Sequence, residues 1–293
     1  MKKVAWTFLL VPIFGQVLAQ EVSGNKKSVV VDDFSIKTGF LVNGNPTGSL
    51  TDFRTLAPQS NLLQNEFSGF NPFFNRNESN VVPFSVLVGL QFRERNAPKK
   101  HTTLRLGLSY LSGHVMTISL NERVRVPFDT LTSGRTESTI LVDSIYGRNY
   151  FMNYSANQLR FDASLIFRTS SESRWNLFAG LGFSVGFSLN AFTEVFFSEN
   201  SRLELDLDDF NPPIWQSTNL QFVTERHNNR GFWATSVFIP VGVDFRMGQQ
   251  HSFWGNVHLF YELRPSLNFI SIPELRTLTL AGAQHGFGLR YNI

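Results

Sequence analysis

Between Arg174 and Phe192 the chain reads RWNLFAGLGFSVGFSLNAF, and its two alternate phases are different kinds of sequence. One is Trp175, Leu177, Ala179, Leu181, Phe183, Val185, Phe187 and Leu189. The other is Asn176, Phe178, Gly180, Gly182, Ser184, Gly186 and Ser188. A period of two marks a β-strand, whose successive side chains point to opposite faces. A strand with one wholly apolar face and one face of glycine, serine and amide excludes most architectures. A water-facing surface needs more charge than the second phase supplies.

The same alternation recurs in eight segments, at about 32–43, 82–93, 101–115, 157–169, 174–190, 231–247, 250–265 and 278–293. Short polar turns (RERNAPKK, TSSES, MGQQ) join the second segment to the third, the fourth to the fifth and the sixth to the seventh. Stretches of about forty residues alternate with them, so short and long connections fall on opposite ends of the strands. In hydrocarbon every backbone N–H and C=O must be paired within the protein, so a sheet spans a bilayer as a closed barrel. Its outer face is then apolar. Its narrow interior takes glycine, serine and interlocking polar groups. The expected fold is therefore all-β: a closed, antiparallel, eight-stranded transmembrane β-barrel with short periplasmic turns and long extracellular loops. The competing architecture is a soluble barrel with the phases inverted, apolar inside.

Composition agrees with the first. Aromatic residues make up 14% of the 293 residues and charged ones 17%, with 30 phenylalanines against 6 tyrosines. Mean hydropathy is −0.09, far too low for a bundle of membrane helices. With no cysteine there is no disulfide, thiolate nucleophile or cysteine metal site. The formal charge of +3 falls to +1 once Lys2 and Lys3 are set aside, so nucleic acid is not an expected partner. Those lysines open MKKVAWTFLLVPIFGQVLAQ, which reads as a cleaved secretory signal over residues 1–19, with a polar leader at 20–31 and the barrel at 32–293. The expected location is the outer membrane, with its lipid as one partner.

The polar phases place Lys37, Arg105, Arg160, Asp162, Asp244, His258, Glu262 and Arg290 in the lumen. Counting from the short turns puts Lys37, Arg105, Asp244 and Arg290 in a lower layer and Arg160, Asp162, His258 and Glu262 in a higher one. Buried charges must be paired, so a plug of salt bridges is expected, with Asp162 and Glu262 neutralising Arg160 and its neighbours. A polar pore is the alternative. Phe92, Tyr110, Trp175, Trp233, Phe245 and Tyr291 fall near segment ends, where an aromatic girdle belongs.

Catalysis is not expected. His258 and Glu262 share a strand, but in the phase facing away from lipid, and the paired aspartates sit at the leader–strand junction (Asp32, Asp33) and in a loop (Asp208, Asp209). No cofactor and no metal are expected. The acidic residues of RLELDLDDFNPPIW read as the solvated edge of a strand continuing above the membrane. TISLNERVRVPF and STILVDSIYGRNYF read as a projecting hairpin. Pro127, Glu122, Arg123 and Arg125 keep it out of the bilayer and the strand number at eight rather than ten.

The signal sequence, the eight segments, the alternating connections and the C-terminal HGFGLRYNI (Phe287, Leu289, Tyr291, Ile293) together resemble the small Gram-negative outer-membrane barrels of the OmpA/OmpX-like and OmpW-like families. In style the chain is also similar to Bacteroidota barrels such as the PorT-like accessory subunits of secretion machines. It departs in ending on Ile293 rather than an aromatic residue. The resemblance implies a non-enzymatic barrel: a structural or accessory subunit presenting its loops to a protein partner, or alternatively a small porin-like channel.

Overall fold

The computed structural model describes residues 28–43, 47–73, 81–93, 102–132, 139–169, 173–205, 214–217, 221–248 and 253–293. The signal sequence, most of the leader and the Asp208–Asp209 pair lie outside them.

Eight strand positions close into a ring. Strand β1 (Ser28–Asn43) leads to a two-residue strand, β2 (Asn71–Pro72), then to β3 (Val82–Arg93), β4 (Thr102–Thr132), β5 (Thr139–Arg168) and β6 (Trp175–Leu205). Four pieces follow, β7 (Ile214–Ser217), β8 (Gln221–Asn229), β9 (Trp233–Phe238) and β10 (Val241–Arg246), which cover one edge of β6 in succession and act as one interrupted strand. Both β9 and β10 pair onward with β11 (Val257–Ser271), and β11 pairs with β12 (Thr277–Asn292). β12 returns to β1 in unbroken antiparallel register from Asp33↔Asn292 to Asn43↔Gly282. The ring thus has no edge in its lower half, which a membrane-spanning sheet requires.

The apolar phase faces out. Leu181 is 60% exposed, while Ser184 on the same strand is 2% exposed. This distribution is the inverse of a water-soluble barrel and excludes it. Glycine occurs inside because the tilted strands crowd the lumen. A Cβ on Gly286 would stand 2.6 Å from the Lys37 stem, and one on Gly89 would stand 2.7 Å from the Asp33 carboxyl group.

The strands differ from the expected segments in three ways. First, β1 starts at Ser28, so residues 28–31 of the leader are strand, paired with Arg93 to Leu90. Second, the segment expected at 231–247 is divided at Ile239–Pro240, because proline has no N–H for the ladder. Pro265 faces the gap, and its carbonyl accepts from Ile239 N at 3.0 Å. Third, β11 begins at Val257, after a 3-10 turn at Phe253–Gly255, and β4, β5 and β6 run some fifteen residues or more past the expected ends.

Those extensions build a head above one wall of the barrel. As the sequence suggested, the hairpin of β4 and β5 pairs from Thr117↔Asn153 to Thr132↔Thr139, with one register shift between Pro127 and Asp129, and remains part of the barrel sheet. Two bulges mark the change from wall to head, one between His114 and Met116 of β4 and one in β6 at Leu189, opposite Asn157 and Gln158. Each inserts a residue and shifts the inward phase by one. Below the bulges the inward residues are mainly polar, with Leu87, Ile166, Phe178, Phe238 and Phe260 packed among them. Above the bulges they are Met116, Ile118, Leu120, Met152, Tyr154, Ala191 and Val195, all buried.

The first long loop fills this apolar cup. Helix α1 (Leu50–Leu56) starts at a capping box, in which Asp52 N donates to Ser49 Oγ at 3.1 Å and Ser49 N to the Asp52 carboxylate at 2.8 Å. Its Phe53 and Leu56, with Leu63, enter the cluster of Met116, Tyr154, Val195 and Phe232. The Phe67 and Phe70 rings pack tilted and edge-on against Tyr150 at 4.7 and 5.2 Å, and Tyr150 packs against Phe197 at 4.8 Å. Asn229 Nδ2 donates to Leu56 O at 2.6 Å, which ties the loop to β8.

Two outcomes test this arrangement. Leu181→Arg should cost about 2–4 kcal/mol and lower the temperature of the unfolding gel shift, while Leu181→Phe leaves it unchanged. Phe53→Ala should cost the head about 3–5 kcal/mol, seen as faster proteolysis within residues 47–73 at an unchanged barrel gel shift.

Candidate functional site

Strands β1, β4, β5, β10, β11 and β12 contribute to one polar column. At its periplasmic end, Asp33 and Asp32 of β1 meet Arg168 of β5 at 2.9 and 3.6 Å, and Arg290 of β12 approaches Asp33 at 3.8 Å. Arg290 also bridges Asp244 of β10 at 2.7 Å, and Asp244 bonds His258 Nδ1 at 2.5 Å. Asn292 Nδ2 lies 3.0 Å from His258 Nε2.

Above this, Glu262 is a hub. It is 0% exposed and takes Lys37 at 2.7 Å, Arg105 at 2.5 Å and Arg264 at 3.1 Å. Arg264 continues to Asp162 at 3.0 Å, lying over the Phe238 ring at 4.1 Å from its centroid. Asp162 also accepts from Ser109 Oγ at 2.6 Å. Higher still, Arg160 donates to Gln158 Oε1 at 2.7 Å and to Asn268 Oδ1 at 3.3 Å.

All eight lumenal residues read from the sequence are therefore buried in the barrel, but in different company from that expected. His258 lies in the lower cluster with Asp244 and Arg290. Lys37 and Arg105 join Glu262 in the middle. Counting residues from each turn fails because strand tilt and stagger raise the register progressively around a barrel. The carboxylate expected beside Arg160 serves Arg264 instead, and Arg160 is held by amide oxygens.

Sequence reasoning missed four members: Asp32, Asp33, Arg168 and Arg264. Asp33 sits at the leader–strand junction yet shares the inward phase of Ser35 and Lys37; the bulge between Val31 and Asp33 shifts only the leader residues before it. Arg264 lies in the polar phase of its segment, and that signal was sufficient to include it. With Asp32 counted, five carboxylates (Asp32, Asp33, Asp162, Asp244, Glu262) face six cations (Lys37, Arg105, Arg160, Arg168, Arg264, Arg290). The lower layer thus has its acids, and the surplus cation is Arg160.

The column leaves little room. A cavity of about 10 Å³ beside Ser35, Arg168, Asp244 and Arg290 is space for about one water. Among the described residues no three His, Asp or Glu side chains form a metal-binding group. Glu204 of the acidic loop is bound by Arg123 at 3.2 Å and by Arg202. Asp206 and Asp208 lie outside the described residues.

The six girdle residues occupy two rims. Trp175 packs on half-buried Phe245 at 4.6 Å, and with Phe92 and Tyr291 they mark the periplasmic rim. Phe253, 5.8 Å from Tyr291, and Trp254 belong to the same rim and were not anticipated. Tyr110 and Trp233 mark the other rim, with Trp233 5.8 Å from Phe187.

No protein-family model matches the chain, and no curated protein matches it. Among solved structures it is similar to Neisserial surface protein A, at 10% identity and a TM-score of 0.36, over 91% of this chain and 100% of that one. It is similar to OccK3 (OpdO) of Pseudomonas aeruginosa at 9% identity and a TM-score of 0.11, over 89% and 95%. Superpositions this loose add nothing to the fold, which rests on the closed ring itself.

Because Glu262 pairs with three cations at once, Glu262→Gln should cost about 3–5 kcal/mol, the usual penalty for leaving buried charge unpaired. Asp162→Ala, which strips one partner from Arg264, should also lower the gel-shift temperature. Thermal unfolding of the purified variants in detergent reads both.

Proposed function

We propose that this protein is a non-enzymatic outer-membrane barrel, closed along its length, that holds a folded extracellular head for a protein partner. The observation that carries the reading is the filled lumen. A hydrated channel would hold charges apart and screened by water. Here they are bonded to one another in the lower half, and an apolar cup sealed by α1 stands above them.

The head supports the second half of the reading. Val124, Val126, Phe128, Leu141, Tyr146 and Phe222 are exposed on strands that rise beyond the rim marked by Tyr110 and Trp233. Exposed apolar side chains on a rigid sheet above the membrane suit a protein–protein contact. An alternative role as a small-solute channel would need a path through the bonded charges around Glu262 and Asp162.

Two measurements test the proposal. In planar bilayers the purified protein should stay at baseline conductance, and a stable, ion-selective current would overturn the closed-barrel half. After mild solubilisation it should co-purify with a stoichiometric partner, and Phe128→Ser with Tyr146→Ser should release that partner while the barrel still shows its gel shift. A partner retained by the double variant would place the contact elsewhere.

A further inference from the structure

The lipid-facing wall carries one polar pair. His285 of β12 stands on the outer face, its ring stacked on Phe40 of β1 at 4.7 Å and 14°. The Tyr261 hydroxyl of β11, on the same outer face, lies 2.7 Å from His285 Nδ1. His285 is six residues along β12 from Tyr291 at the periplasmic rim. At ~3.3 Å per residue and a strand tilt near 40°, that is about 15 Å into the bilayer, close to its midplane. Its direct neighbours across the strands are Phe40 and Leu263; further along the wall Ala281, Ala283 and Pro265, and Thr38 beside Phe287, are smaller and leave it shallower there.

A histidine in hydrocarbon needs both ring nitrogens satisfied. With the tyrosine hydroxyl donating to Nδ1, the Nε2–H is left as a donor with no acceptor among the described residues. The hydroxyl oxygen retains a free lone pair. Acyl chains offer no acceptor at this depth, and headgroups are about 15 Å away. The missing group must therefore come from another protein wall at the same depth.

We infer that the outer wall of β11, β12 and β1 is a membrane-embedded interface between two copies of this chain, closed by their Tyr261–His285 pairs. The pair is self-complementary, with one spare donor and one spare acceptor. A two-fold axis along the membrane normal brings equal depths face to face. Each Nε2–H then donates to the second copy's Tyr261 hydroxyl, each hydroxyl donates to its own Nδ1, and the four bonds form a closed ring. The small residues allow the two walls to approach. The inference rests on the membrane reading but not on the partner of the head.

The cysteine-free chain makes the test direct. Ala283→Cys, beside His285 on this wall, should give a disulfide-linked dimer when native outer membranes are oxidised. Leu165→Cys on β5, four strand positions around the ring, should not. Adding His285→Leu or Tyr261→Phe to Ala283→Cys should reduce the dimer about five- to tenfold, as expected for losing two intramembrane hydrogen bonds. Outer-membrane fractionation and the gel shift of each variant separately verify the barrel. With the barrel intact, absence of the Ala283→Cys dimer, equal linkage at Leu165→Cys, indifference to His285→Leu, or linkage to a different protein would each overturn the inference.

Discussion

The backbone ladder between β1 and β12 is the constraint on which the rest of the structure depends. Without the register from Asp33↔Asn292 to Asn43↔Gly282, the sheet would carry two rows of unpaired N–H and C=O groups into hydrocarbon. Once the ring closes, every side chain of the wall must choose between lipid and a narrow lumen. The C-terminal strand is therefore part of the closure itself, and Phe287, Leu289 and Tyr291 face out because Gly286, Gly288 and Arg290 must face in.

A lumen this narrow cannot hydrate six cations and five carboxylates individually, so it bonds them to one another. The network runs across the barrel rather than along it. Glu262 of β11 gathers Lys37 of β1 and Arg105 of β4, and Arg264 carries the link on to Asp162 of β5. Such cross-links resist ovalisation and shear of the wall as well as filling it. Above the bulges the same lumen becomes an apolar cup: on β4 and β6 the inserted residue brings Met116, Ile118, Ala191 and Val195 to the inside, while β5 keeps one inward phase from Arg160 and Gln158 up to Tyr154 and Met152 around Phe53. The molecule thus has two cores, one ionic within the membrane-height barrel and one hydrophobic above it.

The head is asymmetric because only part of the ring extends. The wall of β4, β5, β6 and β8 rises, while β1, β3, β11 and β12 stop near the rim. Residues 47–73 fold into the space above the low side and pack on the tall one. The tall sheet and the loop support each other, which gives the extracellular surface a fixed shape.

What the sequence by itself determined is the alternation: eight strands, which phase meets lipid, which residues line the lumen, and the pairing of the projecting hairpin. Those follow from periodicity and local composition, since Leu181 and Ser184 carry opposite instructions wherever the strand sits. What only the tertiary structure decided is which charge meets which. His258 reaches Asp244, Glu262 reaches Lys37, and Asp33 reaches Arg168 across distances of chain that no local pattern spans. The stagger of the barrel sets those partners, and stagger is a property of the closed ring, which no single strand carries.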